Sequence, residues 1–320
     1  MKLVLFLNMG GATNLQDCEV FLKNMFNDPY ILGIKNRFLR KFVAWIITKA
    51  RVKAMQENYK KMGGKSPLNE LTQSLCNKLN LKQDEFKFDF VNLYVPPFAT
   101  EILQKYTLNE SDEIILFPLY PHHSCTTVTS SLEVLQNEIS KQKIQAKVKT
   151  IDIFYKNELY NEMIVSHILD KKSKFDAKIL IFSAHSLPQS IIDKGDLYEK
   201  HVNDHVEILK EKLKDHFDEF ILAYQSKLGP VKWLEPNTSD VLANLNDKAL
   251  IYPISFCIDC SETIFELGME YKHLAKCDYD LISCPNDSDE FMEFILNSIN
   301  SPLARKTSCL KTQKYFPKLT

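Results

Sequence analysis

Lys178-Ile179-Leu180-Ile181-Phe182-Ser183-Ala184-His185-Ser186-Leu187-Pro188 is a short run of branched and aromatic side chains that stops abruptly in polar residues. Its apolar part is too short and too uniform for an amphipathic helix, and it reads as a strand buried on both faces. Three other runs have the same form: Leu3 to Leu7 ahead of Asn8-Met9-Gly10-Gly11, Glu113 to Phe117 ahead of Pro118-Leu119-Tyr120-Pro121, and Ala249 to Ile254 ahead of Ser255-Phe256-Cys257. Longer helical patterns separate them, an alternation that predicts parallel α/β sheets covered by helices on both faces. Ligands in such folds bind beyond the carboxyl ends of the strands, where all of these polar loops fall.

The runs fall two to each half of the 320-residue chain, a length suited to two domains of roughly 100–200 residues. The expectation is therefore α/β, with two similar doubly wound, Rossmann-like parallel-sheet domains. Residues 1–160 form the first, including an amphipathic helix near 30–55. Residues 161–320 form the second, with the final helix crossing back.

Hydrophobic residues make up 45% of the chain and charged residues 25%, and 40 basic against 41 acidic side chains leave a formal net charge of -1. This is the balance of a soluble globular protein. It provides no long-range field for the phosphate backbone, and no nucleic-acid partner is expected. Eight cysteines in 320 residues are too sparse for a disulfide scaffold. The opening Met1 to Asn8 is too short for a signal peptide, and no stretch approaches the ~18 uncharged apolar residues of a spanning helix. A cytoplasmic location, peripheral at most, is the expectation. No GxxxxGK[ST] occurs, and Asn8-Met9-Gly10-Gly11 lacks the spacing of a dinucleotide fingerprint.

Tyr30 to Met55 mixes apolar residues with Lys35, Arg37, Arg40, Lys41, Lys49, Arg51 and Lys53, with no acid between Asp28 and Glu57. Such a basic amphipathic segment either rests against a membrane or an apolar ligand, or is a core-facing helix with a solvated basic face. The arginines favour an anion contact, since guanidinium binds carboxylates bidentately.

His185, beside the buried run, is placed to act as a base or ligand near neutral pH, although a lone histidine is often structural. In Asp259-Cys260-Ser261-Glu262-Thr263-Ile264-Phe265-Glu266, Asp259 reads as a helix cap with Glu262 at the third helical position. Glu262, Glu266 and Glu270 then recur every four residues on one face. Like charges at that spacing repel, so the ridge marks either a place visited by a cation or a solvated face. Cys257-x-x-Cys260 fits a thiol-redox motif, half a zinc site or buried free thiols. Gln225-Ser226-Lys227, Gly229-Pro230 and Trp233-Leu234 form a turn-rich segment suited to lining a pocket for a flat ligand.

Taken in order, these segments resemble the ferrochelatase family. The likeness covers nearly the whole chain: Leu7 to Gly11, Gly63-Gly64-Lys65-Ser66-Pro67-Leu68, Pro118 to Pro121, Ser124-Cys125-Thr126-Thr127, Ser183 to Pro188, Gly195-Asp196-Leu197-Tyr198, Tyr224 to Pro230, Trp233-Leu234, and Pro253 to Tyr271. The resemblance implies a chelatase-like fold with a porphyrin cleft between the domains. It also implies insertion of ferrous iron into protoporphyrin IX to form protohaem with release of two protons, the last step of haem synthesis. His185 and Glu262 match the facing catalytic pair and metal ligands, with Glu266 and Glu270 as a relay. Met9, Arg51, Tyr120 and Trp233 are the porphyrin-pocket candidates. The segment near 30–55 matches an apolar lip that touches the inner face of the cytoplasmic membrane or an upstream porphyrin-producing enzyme. Iron and porphyrin are then substrates, with no tightly bound cofactor.

Three positions depart from the family pattern. Cys260 stands where the family has a histidine, and Leu93 and Pro96 stand where it has arginine and histidine. The tail carries only Cys309, so no iron-sulfur cluster is expected, although Cys125 matches the position of a cluster ligand in other members. Coproporphyrin III, another tetrapyrrole and metal, and a non-enzymatic haem or porphyrin carrier are the alternative readings.

Overall fold

The computed structural model describes residues 1–300 and the backbone of 304–306. The chain separates into two compact units. The first is built from Met1–Tyr120 and Ser124–Asp152, and the second from Pro121–His123 and Ile153–Phe294, with the chain returning to the first at Ile295.

The first unit carries β1 (Lys2–Asn8), β2 (Phe86–Asn92), β3 (Glu113–Pro118) and β4 (Lys147–Ile151), and the second carries β5 (Ile179–His185), β6 (Glu219–Gln225), β7 (Ala249–Tyr252) and β8 (Tyr279–Leu281). The order is β2-β1-β3-β4 in one sheet and β6-β5-β7-β8 in the other. These eight strands pair in parallel. One winding is thus used twice, second-first-third-fourth, which is the duplication that the paired strand-and-loop runs suggested. The short β9 (Ala304–Lys306) adds antiparallel to β4, so the Cys309 expectation lies outside the described residues.

Both faces of the first sheet are covered. Leu3, Leu5 and Leu7 join Ile114 and Leu116 in one apolar cluster with Ile102, Leu132, Leu135 and Ile139 from the covering helices. On the other face, Phe6 packs its ring 5.8 Å from Phe88 and 5.6 Å from Phe117. In the second unit Ile179, Ile181, Ala249 and Ile251 cluster with Leu242, Leu267 and Tyr271, while Phe182 stacks on Phe220 at 6.4 Å. Burial on both faces explains why these strands read as unbroken apolar runs.

Two strands end more than one residue away from the end of their apolar run. β5 continues three residues past Phe182, because the ladder pairs Ser183 with Ala223, Ala184 with Tyr224 and His185 with Gln225. β7 stops at Tyr252, two residues short of Ile254, where Pro253 offers no N–H to a ladder. The single helix expected near 30–55 is broken. A short helix Pro29–Leu32 ends at Gly33, whose φ is +67°. A long helix Arg37–Lys61 then starts afresh with the Asn36 side chain accepting from the backbone of Phe38 and Leu39. Phe38, Leu39, Phe42, Trp45 and Ile46 are exposed on it. Among the described residues, no helix is long and apolar enough to cross a membrane.

Candidate active site

His185 is the last residue of β5, half-buried at the carboxyl end of its sheet. Its backbone is held from two sides: the N–H donates to Ser255 Oγ at 2.8 Å, and the carbonyl accepts from Tyr198 Oη at 2.8 Å. Its ring Nδ1 lies 2.6 Å from the Ser186 carbonyl oxygen. A carbonyl only accepts, so Nδ1 carries a proton, and in the neutral ring Nε2 is the nitrogen with the free lone pair. A ring held this way can take a proton or a metal ion without first losing one.

Gln225, opposite His185 in the β5–β6 register, connects the histidine to the carboxylate segment. Its Oε1 accepts from Ser183 Oγ at 2.7 Å, and its Nε2 donates to the Glu262 carbonyl at 3.0 Å and to Glu266 Oε2 at 3.4 Å. Glu262 opens a π-helical stretch, Glu262–Glu270, rather than the α-helix that the spacing suggested. The Asp259 cap with Glu262 at the third position is not formed. Asp259 Oδ1 instead accepts from the Thr263 hydroxyl at 2.9 Å, and its Oδ2 accepts from Asn286 Nδ2 at 2.7 Å. Asn286 returns the bond, accepting at Oδ1 from the Asp259 N–H at 2.8 Å. Asp259 therefore staples two loops together instead of starting a helix.

The three carboxylates of the ridge have different surroundings. Glu262 is half-buried, and its Oε2 accepts from the Cys260 thiol at 2.8 Å. Burial, reinforced by the charge of Glu262, holds that thiol well above its usual pKa, so it is a neutral donor. Glu266 takes the Ser226 N–H at 2.7 Å, the Ser226 hydroxyl at 2.5 Å and the Tyr271 hydroxyl at 2.5 Å, so both its oxygens are engaged. Glu270 is exposed. Repulsion along the ridge is thus relieved by donors at Glu262 and Glu266. The paired thiols of Cys257-x-x-Cys260 are free and buried, as is Cys284. Among the described residues no group of three or more His, Cys, Asp or Glu side chains is arranged to hold a metal ion.

Trp233 joins the same neighbourhood. Leu234 N–H donates to the Leu187 carbonyl at 3.0 Å and Gln189 N–H to the Lys232 carbonyl at 2.8 Å, laying the tryptophan against the loop after His185. The indole N–H is taken by the Leu228 carbonyl at 3.0 Å, which leaves the half-buried ring as an apolar surface.

The remaining candidates lie in the first unit. Met9 follows β1, its carbonyl accepting from the Tyr94 N–H at 3.0 Å. The turn beside it requires glycine: a Cβ on Gly10 would sit 2.6 Å from Val95, and one on Gly11 would sit 2.5 Å from the Ser66 hydroxyl. Tyr120 is half-buried after β3, its hydroxyl 3.5 Å from Ser131 Oγ. Arg51 is half-buried on the long helix, where burial lowers its pKa. No carboxylate pairs with it among the described residues.

The ferrochelatase family model matches residues 2–303 of this chain. The chain belongs to the ferrochelatase family. It is 97% identical over 300 residues to a ferrochelatase of Campylobacter jejuni (strain RM1221), covering 94% of this chain and 99% of that one. It is 55% identical to a ferrochelatase of Campylobacter concisus, covering 92% and 96% of the two chains. Among solved structures, SirB from Bacillus subtilis with Fe3+ has a TM-score of 0.51 at 12% identity, covering 98% of each chain, a likeness of fold. The chain is accordingly an enzyme, a lyase of the ferrochelatase type. His185 and Glu262 are the candidates that the sequence nominated. Ser255 and Tyr198 lie in segments that the sequence singled out, but nothing there showed that they would hold the histidine backbone.

Proposed function

We propose that His185 and Glu262 are the pair through which this ferrochelatase inserts ferrous iron into protoporphyrin IX to form protohaem. The reaction exchanges two pyrrole N–H protons for one Fe2+, so it needs an acceptor for each proton and a ligand that holds iron and then releases it. The bond from His185 Nδ1 to the Ser186 carbonyl is the observation that carries the proposal, because it makes Nε2 the acceptor nitrogen of the neutral ring and turns it away from that partner. Glu262 complements it with a carboxylate tied at one oxygen only. The imidazole accepts a pyrrole proton or ligates the metal, and the carboxylate does the other task. Neither requires a resident cofactor. Trp233, whose N–H is already satisfied, offers an apolar face to a flat macrocycle, and the half-buried guanidinium of Arg51 suits a propionate.

The test is anaerobic iron insertion followed by absorbance, with protoporphyrin IX and coproporphyrin III offered in parallel, for wild type, His185→Ala and Glu262→Gln. A positioned acid or base contributes roughly 10²–10⁴-fold, so each folded variant should lose at least about 100-fold in kcat while still binding porphyrin. Turnover within threefold of wild type in both variants would sink the assignment. Faster conversion of coproporphyrin III would move the substrate to that porphyrin.

A further inference from the structure

Glu262 is held by its carbonyl, bonded to Gln225 Nε2, and by Oε2, bonded to the Cys260 thiol. Its other carboxylate oxygen receives no hydrogen bond from the described residues. Cys260, two residues away, is 5% exposed, and a chain of bonds anchors its backbone. Its N–H donates to Thr263 Oγ1 at 3.0 Å, Thr263 donates to Asp259 Oδ1 at 2.9 Å, and Asp259 Oδ2 is fixed by Asn286 at 2.7 Å. The Cys260 carbonyl is also taken, by the Ile264 N–H at 2.9 Å. With its backbone fixed on both sides, Cys260 delivers its S–H to Glu262 Oε2 from a set position. A small apolar side chain would fill the volume but donate nothing.

We infer that Cys260 is a positioning residue for iron insertion. Its neutral S–H pins Oε2 of Glu262 and leaves the opposite oxygen aimed for the pyrrole proton or the metal. The inference rests on Glu262 being a reacting carboxylate, as proposed above. A glutamate side chain has three rotors to immobilise, and the thiol restrains them before substrate arrives. It does so with a donor that carries no charge, so the negative charge of the carboxylate remains available to a cation.

The experiment compares wild type, Cys260→Ala, Cys260→Ser and Glu262→Gln, together with the double variant Cys260→Ala/Glu262→Gln, in the iron-insertion assay with protoporphyrin IX. Thermal midpoints are measured alongside. Cys260→Ala should lower kcat about tenfold with KM for porphyrin changed less than twofold, and Cys260→Ser, whose hydroxyl still donates, should recover to within about threefold of wild type. In the Glu262→Gln background the alanine should alter the residual rate less than twofold, because its partner has already been removed. Cys260→Val, which lacks a donor but keeps more volume, replaces the alanine if that variant does not fold. Wild-type kcat in the alanine or valine variant, with Glu262→Gln inactive, overturns this inference alone. So does an equal loss with and without the Glu262 carboxylate. Full activity in Glu262→Gln overturns the site assignment and this inference with it.

Discussion

At the scale of single side chains, equal spacing along the carboxylate ridge conceals different tasks. Glu266 is saturated by Ser226, Tyr271 and Gln225, and it clasps a turn in which Ser226 has a φ of 68°. A non-glycine residue in the left-handed region persists only where surrounding bonds hold it. Glu266→Ala would strand a backbone N–H and two hydroxyls, at a cost of about 1–3 kcal/mol. The urea midpoint of this variant should therefore fall, and an unchanged midpoint would remove the clasp. His185 was legible because it follows a buried run. Its ring tautomer was not, since that depends on where the Ser186 carbonyl points after β5 ends.

At the scale of elements, the carboxyl end of β7 and the π-helical stretch behind it act as one unit. Asp259 accepts from Thr263 within the stretch and from Asn286 in the loop after β8, and the Cys284 N–H lies 3.4 Å from its Oδ1. Asp259→Ala would leave those buried donors unpaired, again about 1–3 kcal/mol for each stranded group. It should also lower kcat beyond the loss in Cys260→Ala, because both the thiol and Glu262 hang from this staple. Iron-insertion rates equal to wild type in a folded Asp259→Ala would contradict that reading. The apolar pattern showed an element here but assigned it ordinary α periodicity. π turns are rare and mostly short, so no apolar spacing along the chain announces one. β2 was overlooked for another reason. Its Phe86, Phe88 and Phe90 alternate with Lys87 and Asp89, so it lacks the continuous apolar run of its neighbours.

At the scale of the whole molecule, the second unit contains a buried histidine group that includes the adjacent His122 and His123. Asn161 Nδ2 donates to the Tyr155 carbonyl at 2.9 Å, which turns its Oδ1 toward His205 Nε2 at 2.8 Å. His205 Nδ1 must then accept from His122 Nε2 at 2.9 Å, and His122 Nδ1 is left as a buried acceptor without a hydrogen bond. His201 lies beside them, its Nδ1 accepting from the His123 N–H at 3.3 Å. Burial depresses His205 to about 3 and His201 to about 4, and it holds His122 well below its usual range. His123 and Lys200 lower His201 further, and the opposing pull of Asp204 and Asp196 is outweighed. Below about pH 6.5 the unfolded chain binds protons that the folded chain refuses. Stability is therefore full above pH 6.5 and declines from there toward pH 4, by up to about 1.4 kcal/mol per pH unit for each group. The urea midpoint should be distinctly lower at pH 5 than at pH 7.5, and equal midpoints would show that the cluster is hydrated or already charged.

Residue order alone carried the α/β class, the paired strand-and-loop runs and the family, and it nominated His185 and Glu262 as candidates. Apolar runs, turn residues and motif order act along the chain or recur at its strand ends, so they can be read without coordinates. The winding order, the π turn, the acceptor Nε2 of His185, the clasp on Glu266 and the thiol aimed at Glu262 emerged only on folding. Each rests on directional bonds of about 3 Å. Burial of the sheets must first bring Ser255 to His185 and Ser226 to Glu266 across tens of residues, and no local pattern encodes an approach that close.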